Sequence, residues 1–411
     1  MTTRRALISG ASIAGPVLAY WLGGAGWDVT VVERAPALRT SGYPVDIRGT
    51  AVDVVHRMHL HGEVTAARYQ HAPLELLTPG GRRLCTLDFG KLLSDPNFGD
   101  LEITRGALSE VLYRASRDRA DYLFDDSIAT LAQTESAVAV TFDSGRSQTF
   151  DVVIGADGIH SNVRALAFGD ESSFIRHLGP YVAVWDLPDG MFGPGSGVMY
   201  SHPGRTAFVE HPRDQAVARA FLAFRHPRPG SVDRRDTGAM VAAVRHAFAG
   251  DRWRTGEIID TLADSSDVYF DTVSQIRMDR WSNGRVALVG DAAYAPAFLS
   301  GQGTSIAIAG AYVLASELVR HDRPDRAFEA YERRLRHYVT TNQELALRAD
   351  STVISTTRGR LLRRNLTLAT VPLLQRLGLG HLLQSSVRTA ATGLTLAGGD
   401  LQQPPSPCAA V

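Results

Sequence analysis

Residues Ala6-Leu7-Ile8-Ser9-Gly10-Ala11-Ser12-Ile13-Ala14-Gly15-Pro16 decide the fold. The apolar run Ala6–Ile8 suits a buried parallel strand and Gly10–Gly15 a turn. Ile13, Val17, Leu18, Trp21 and Leu22 then recur at helical spacing. Pro16 falls in the first helical turn, where a missing N–H costs little. Gly23, Gly24 and Gly26 stop the helix, and Val29–Val32 form a second strand ending at Glu33-Arg34. In such a strand–turn–helix–strand unit Gly10 permits the tight turn and Gly15 the close packing of helix on strand. Ser12 stands where a second glycine would let the backbone approach a pyrophosphate, and its hydroxyl offers a donor to phosphate instead. An anion would rest on free N–H groups at the helix start, Ile13 and Ala14 among them, where the helix dipole favours negative charge. Glu33, about 20 residues beyond Gly10, falls where a carboxylate accepts hydrogen bonds from ribose hydroxyls, with Arg34 beside it.

This unit calls for an adenine dinucleotide without choosing between NAD and FAD. A second motif makes the choice: Gly284-Arg285-Val286-Ala287-Leu288-Val289-Gly290-Asp291-Ala292-Ala293, continuing through Pro296 to Gly301-Gln302-Gly303-Thr304. A strand ending in Gly290-Asp291 presents a carboxylate beside backbone that a ligand can approach. The turn Gly301–Thr304 opens another helix, with a second set of free N–H groups. Two such sites far apart in one chain suit a ligand with two distant ends, as in a flavin whose ring lies away from its adenine. A third element is Asp151-Val152-Val153-Ile154-Gly155-Ala156-Asp157-Gly158 with Ser161-Asn162-Val163-Arg164.

Taken in chain order, the N-terminal fingerprint, the central Asp157-Gly158 motif and the C-terminal Gly290-Asp291 motif resemble the class A flavin-dependent monooxygenases, the aromatic hydroxylase family, from about residue 4 to about residue 345. The resemblance implies that Glu33 binds ribose and that Asp291, with Gly290, meets the ribityl–pyrophosphate region. It places the Pro296 and Gly301–Thr304 loop against the flavin ring, Arg105 of Thr104-Arg105-Gly106 on FAD, and Asp157-Gly158 between FAD and NAD(P)H. The stretch Gly42-Tyr43-Pro44-Val45-Asp46-Ile47-Arg48 is most similar to the tetracycline-inactivating and polyketide-modifying branch. By that likeness Asp46 and Arg48 contact cofactor and Arg39 serves NADPH. Tyr294 departs from the histidine usual after Gly-Asp-Ala-Ala. The implied activity uses FAD, with NADPH or NADH as co-substrate and O₂, to form a C4a-hydroperoxyflavin that oxygenates an aromatic or polyketide-type substrate. Hydroxylation is the first expectation, with Baeyer–Villiger insertion, epoxidation or antibiotic inactivation as alternatives. No catalytic acid or base is named by the residues.

Composition agrees with a small-molecule enzyme. The 411 residues carry 43 basic and 43 acidic side chains, so no net field steers a nucleic acid or an anionic membrane. Only Lys91 among the basic residues is lysine, and Trp185-Asp186-Leu187-Pro188 is not a halogenase segment, so a flavin halogenase is disfavoured. An ordinary nicotinamide dehydrogenase would have no use for Gly290-Asp291, whereas a non-catalytic flavoprotein-like, drug-sequestering module stays open at this point. Two cysteines, Cys85 and Cys408, cannot build a disulfide framework and point to a reducing cytoplasm. Arg4-Arg5 before the apolar run Ala6–Ala25 superficially resembles a secretory signal, but Gly10, Gly15 and Pro16 break it where a nucleotide loop needs them. No window reaches the roughly 20 apolar residues of a membrane span. His56, His59 and His61 suit a helix surface better than a metal site, so no metal is expected.

The expected fold class is α/β: a Rossmann-like FAD domain (1–75, 98–178 and 270–324) with an inserted mixed or antiparallel β-sheet substrate domain (76–97 and 179–269). C-terminal helices (325–400) and a tail (401–411) follow. Helices are expected at Val52–Val64, Ala107–Arg119, Ala239–Phe248, Ile306–Leu318 and Asp325–Arg348. Met199, Phe208, Phe221 and Phe224, with Phe192, are candidates for an apolar substrate pocket. Monomer and homodimer are equally compatible with the sequence.

Overall fold

The computed structural model describes residues 3–39, 42–88, 99–265, 267–376 and 389–401. Lys91, Cys408, the expected substrate-domain residues from 89 to 97 and the tail from Gln402 lie outside them. The quoted stretch forms β1 (Arg5–Ser9), the turn, and α1 (Ala14–Gly24), followed by β2 (Asp28–Glu33). Ala6, Leu7 and Ile8 are wholly buried because β1 lies inside a six-stranded sheet. Its order is Ser282–Asn283, Val286–Leu288, Val152–Gly155, β1, β2, Asp121–Phe124, and every pairing except that of the first two strands is parallel.

Between β2 and the second motif the chain contributes β3 (Pro44–Ile47), α2 (Thr50–Arg57), α3 (His61–Ala66), β4 (Leu74–Leu77), β5 (Arg83–Leu87), β6 (Leu101–Thr104), α4 (Arg105–Ser116) and β7 (Asp121–Phe124). A three-stranded antiparallel sheet follows, β8 (Ile128–Gln133), β9 (Val138–Phe142) and β10 (Ser147–Phe150), then β11 (Val152–Gly155) and α5 (Asn162–Phe168). One helix expected over Val52–Val64 is two. His59 adopts φ 58°, which an α-helix cannot continue, and the resulting bend keeps Leu60 and Val64 buried alongside Val54 and Val55.

The second layer is a seven-stranded sheet ordered β16 (Val268–Ile276), β12 (Ile175–Asp186), β15 (Arg219–Arg225), β14 (Arg205–His211), β13 (Ser196–His202), β4, β5. Hydrogen bonding carries this sheet through Ile276 and starts it at Leu74, so the strands cross the boundaries at 269 and 76 expected from sequence. Its outer face packs on α6 (Thr237–Ala247) and α7 (Thr255–Asp260) in one core of Tyr181, Trp185, Leu222, Phe224, Val244 and Ile258. The chain returns to the first sheet through β17 (Ser282–Asn283) and β18 (Val286–Leu288), then α8 (Asp291–Tyr294) and the long buried α9 (Gly303–Arg320). α10 (Pro324–Val353) begins on a proline, which fits a first helical turn, and α11 (Arg358–Arg376) follows. Leu368 and Val371 of α11 pack with Leu74, Cys85, Leu87, Met199 and Phe208 over one end of the sheet.

Candidate functional site

Three adjoining cavities of about 190, 250 and 360 Å³ run from the β1–α1 turn, where the first lies, to the seven-stranded sheet, which helps line the second and third. None alone would hold a dinucleotide, but they share walls and so form one trough. The first is lined by Gly10–Ser12, Glu33, Arg34, Asp126, Ser127 and Asn162, and the second by Ile13, Ala14, Tyr43, Asp46, Asp291 and the Pro296–Thr304 loop. The third holds Arg34, Arg39, His160, Trp185, Arg219, Arg234 and Asp271. Arg105 lines all three.

The donor set fits an elongated anionic dinucleotide. α1 and α9 both open on the trough, and neither has a side-chain cap or an acidic residue in its first turn, so their N–H groups are left for a ligand. Gly10 has φ 108°, and a Cβ there would lie 2.5 Å from the Ala156 carbonyl oxygen, so only glycine lets the turn nest on β11. Gly301 has φ 65°, and a Cβ there would lie 2.9 Å from Asp46 Oδ2, closing the gap between β3 and the start of α9.

The expected residues gather as follows. Glu33 lines the first cavity while its carboxylate accepts N–H bonds from Ala11 and Ala35, both at 2.9 Å, so it also braces the glycine turn. Ser12 Oγ accepts from Arg105 Nη2 at 3.1 Å and lies 3.3 Å from Ser109 Oγ. Asp157 accepts from Ser161 Oγ (2.5 Å) and Val163 N (3.0 Å), fixing the turn in which Gly158 takes φ 82°. Burial raises the Asp157 carboxyl against those bonds. Asp291 is exposed where it lines the second cavity; desolvation raises its carboxyl and the Arg105 guanidinium opposes that. Gly290 sits beside it as the N-cap of α8, and Gly301, Gly303, Thr304 and Pro296 complete the wall. Arg39 is exposed at the rim shared by the first and third cavities.

Other expected residues are placed elsewhere. Gly15 lies under the turn, where a Cβ would be 1.9 Å from Gly10 O, and so serves packing. Arg48 is buried and donates Nη2 to Asp46 Oδ1 at 2.7 Å, while its backbone N–H donates to Ser305 Oγ. Gln302 turns its side chain wholly inward; neither side-chain amide atom meets a partner among the described residues. Phe224 is a correction: Phe221 pairs across the sheet with Phe208, and Phe208 with Met199, so these three share the inner face. Phe224, three residues on, points the other way into the outer core, where it stacks on Tyr181. Phe192 belongs to that outer core too. Of the inner three, Phe221 reaches the trough side, 5.8 Å from the Phe298 ring, whereas Met199 and Phe208 are covered by α11. Tyr294 points into the core, where its hydroxyl accepts from Tyr331 at 3.0 Å in space left by Gly310.

Sequence reasoning missed the aromatic wall of the second cavity. Tyr43 lies 4.7 Å from Phe298 and 5.3 Å from Tyr269, ring to ring. Burial raises both phenols, Tyr269 strongly, so both keep their protons. Only the position of Tyr43 inside the quoted Gly42–Arg48 stretch could have flagged it. Also missed was His160, next to the Asp157-Gly158 turn. Its Nδ1 lies 2.9 Å from Glu171 and its Nε2 2.8 Å from Asp271 of β16. Burial lowers its pKa, but the bonds to the two carboxylates outweigh that and lift it to about 9.

A model of the FAD-binding domain family matches residues 3–346. An uncharacterised protein of Mycobacterium tuberculosis is 41% identical over 345 residues, covering 82% of this chain and 91% of that protein. A flavin-dependent monooxygenase of an unidentified prokaryote is 34% identical over 342 residues, 83% of this chain and 88% of the relative. Among solved structures, that of tetracycline destructase Tet(55) superimposes with a TM-score of 0.82 at 30% identity, covering 96% of this chain and 98% of the other.

Proposed function

This chain belongs to the FAD-binding domain family, among its flavin-dependent monooxygenases, and we propose that it uses NAD(P)H and O₂ to hydroxylate an aromatic or polyketide-type small molecule. It is an FAD-dependent oxidoreductase, and among the described residues no helix is long and apolar enough to cross a membrane. The observation that carries the proposal is the convergence of three cavities on Arg105, the second walled by the rings of Tyr43, Tyr269 and Phe298.

In this reading Glu33, Ser12 and the start of α1 hold the adenosine and pyrophosphate portion of FAD. Asp291 and the start of α9 hold the ribityl and ring portion. Bound FAD supplies hydride acceptance from NAD(P)H and activation of O₂ for transfer of one oxygen atom. The protein binds, orients and keeps water out. The N-terminus of α9 places positive dipole charge where negative charge would develop on the ring. Tyr43, Phe221, Tyr269 and Phe298 make an apolar slot that suits a flat aromatic substrate and sheds water that would waste the oxidant. In the third cavity Arg34, Arg39, Arg234 and the His160 cation offer charge to the phosphates of the nicotinamide co-substrate, which enters beside the Asp157-Gly158 turn.

The likeness to Tet(55) favours a second reading of the same site, oxygenation that inactivates a tetracycline-type antibiotic. One experiment serves both. The purified protein should be yellow, and NAD(P)H and O₂ consumption should rise when a phenolic polyketide or a tetracycline is added, with a product heavier by one oxygen atom. Colourless protein that refuses FAD, or cofactor oxidation that no such compound stimulates, would refute the proposal.

A further inference from the structure

Behind the second cavity lies a buried string of charges that the proposed chemistry does not use. Asp46 of β3 sits directly across the β3–β6 ladder from Glu102, so two carboxylates face the same side at neighbouring register positions. Directly opposed like charges in a ladder are destabilising unless something compensates. On the far side of Glu102 stands His71, in the segment that leads from the FAD layer into β4. Its Nε2 lies 2.7 Å from Glu102 Oε1, and its Nδ1 lies 2.9 Å from Glu210 of β14. Glu210 also accepts the Ala72 N–H at 2.6 Å and the Tyr69 hydroxyl at 3.3 Å, and Tyr69 N donates to the Glu102 carbonyl at 2.7 Å. The side chains of His71, Glu102 and Glu210 are only 5, 9 and 3% exposed.

Counting charges along the string gives Arg48, Asp46, Glu102, His71 and Glu210: three carboxylates and two cations, largely buried except where Asp46 meets the trough. Among these five side chains the carboxylates outnumber the cations by one. Asp46 is the carboxyl that lines the trough, next to Gly301 and Gly303, so it is the one whose proton a ligand can reach. A protonated Asp46 offers the ligand a donor; an ionised one offers only acceptors.

We propose that His71 is a positioning residue for the flavin wall. As a cation held between Glu102 and Glu210, it neutralises the carboxylate opposite Asp46 and so decides whether Asp46 presents a donor or an acceptor to bound FAD. Burial raises the Asp46 carboxyl to about 6; Arg48 opposes this, Glu102 adds to it, and His71 lowers it. Burial lowers the His71 pKa, but its bonds to Glu102 and Glu210 prevail and lift it to about 10, so it stays charged while Asp46 titrates. The groups that act on Asp46 thus come from the residue just past the end of its own strand (Arg48), from β6 (Glu102) and from the crossing segment (His71), with Asp100 acting on Arg48. The Gly301–Thr304 turn adds no titratable side chain.

This inference rests on the FAD reading of the trough, and its test separates the two. The holoenzyme's visible flavin absorbance is titrated across roughly pH 5 to 9, the span that brackets an Asp pushed up by burial. Wild type should show an inflection near 6, and Asp46→Asn should abolish it. His71→Gln should move it up and Glu102→Gln should move it down, each by about one pH unit, and the double variant should return close to wild type. Thermal melts are recorded alongside. If His71 only held the fold together, both single variants would melt earlier with the inflection unmoved or moved in the same direction, and the proposal would fall. If His71→Gln does not fold, the downward shift in Glu102→Gln decides alone. FAD bound with no inflection that depends on Asp46 overturns this inference and spares the FAD reading; failure of the wild type to bind FAD overturns both.

Discussion

Replacing Arg105 by methionine tests the site at its centre. The arginine lines all three cavities, donates to Ser12 Oγ at 3.1 Å, and its charge opposes the desolvation that raises the Asp291 carboxyl. Methionine keeps the apolar stem and removes the guanidinium. The direct loss is a charge-assisted hydrogen bond to an anionic ligand, about 1.5–3 kcal/mol. At 1.4 kcal/mol per decade, FAD should bind about 10- to 150-fold more weakly. There is also an indirect loss with a definite sign. The Asp291 carboxyl is already raised, and without Arg105 it rises further, so the variant loses the ionised carboxylate at higher pH than wild type and the affinity gap should widen as pH first falls. Titrating apoprotein with FAD by flavin fluorescence at several pH values reads both effects, and a thermal melt of the apoprotein controls for folding, since Arg105 is also the first residue of α4. Affinity within about threefold of wild type, with the fold intact, would show that the trough does not place the ligand's anionic portion at Arg105 and would refute the reasoning.

Three further outcomes follow from individual contacts. Because the His160 pKa is raised to about 9, its bridge from Glu171 to Asp271 contributes stability that is fully present below the ordinary histidine value and is lost as pH rises through about 9. Partial exposure limits this to about 1–2 kcal/mol, so melting temperature should decline over that alkaline span in wild type and not in His160→Asn. Phe221→Ala should raise the substrate KM with little change in melting temperature, whereas Phe224→Ala, which empties a core position, should cost about 3–5 kcal/mol in denaturant melts and leave KM nearly unchanged. Equal effects of the two would contradict the assignment of opposite faces. Gly49→Ala should destabilise by about 2 kcal/mol or more, because φ is 53° and the new Cβ would lie 2.3 Å from the Ala391 carbonyl oxygen; protease sensitivity of the segment after residue 389 should rise with it.

The parts of the molecule that were legible in sequence are those where one local pattern carries the constraint. The β1–turn–α1–β2 unit, the Asp157-Gly158 turn and the Gly290-Asp291 strand end each need particular residues at particular offsets, because backbone must bend or come close there. Phe224 shows the first limit. Its type and neighbourhood match those of Phe221, and only strand parity, fixed once β15 is registered against β12 and β14, assigns it to the outer core. Arg48 shows a second limit. A charged residue two positions from Asp46 reads as a ligand contact, yet Arg48, just past the end of β3, turns back onto Asp46 at 2.7 Å, and the cheaper use of a buried guanidinium is to compensate the buried carboxylate beside it. The α2–α3 break shows a third: the bend falls on His59 and not on the nearby Gly62, and with His59 left-handed Leu60 and Val64 are buried.

The histidines carry this reasoning one step further. His71, in the connection before β4, and His160, beside the Asp157-Gly158 turn, lie far apart in sequence, yet each joins a carboxylate near the nucleotide layer to a carboxylate on the seven-stranded sheet: Glu102 to Glu210 in one case, Glu171 to Asp271 in the other. Neither partnership has a sequence period, since Glu210 lies 139 residues from His71 and Asp271 lies 111 from His160. Apolar packing alone would hold the two layers together but would fill the trough between them. An imidazole between two carboxylates instead ties the layers through short polar bonds at the trough's margins, one behind the Asp46 wall and one beside the Asp157-Gly158 turn, and leaves the interior open for a ligand. A chain with equal numbers of acidic and basic residues has no long-range field to use. Its electrostatics act locally, as compensated buried clusters around the trough.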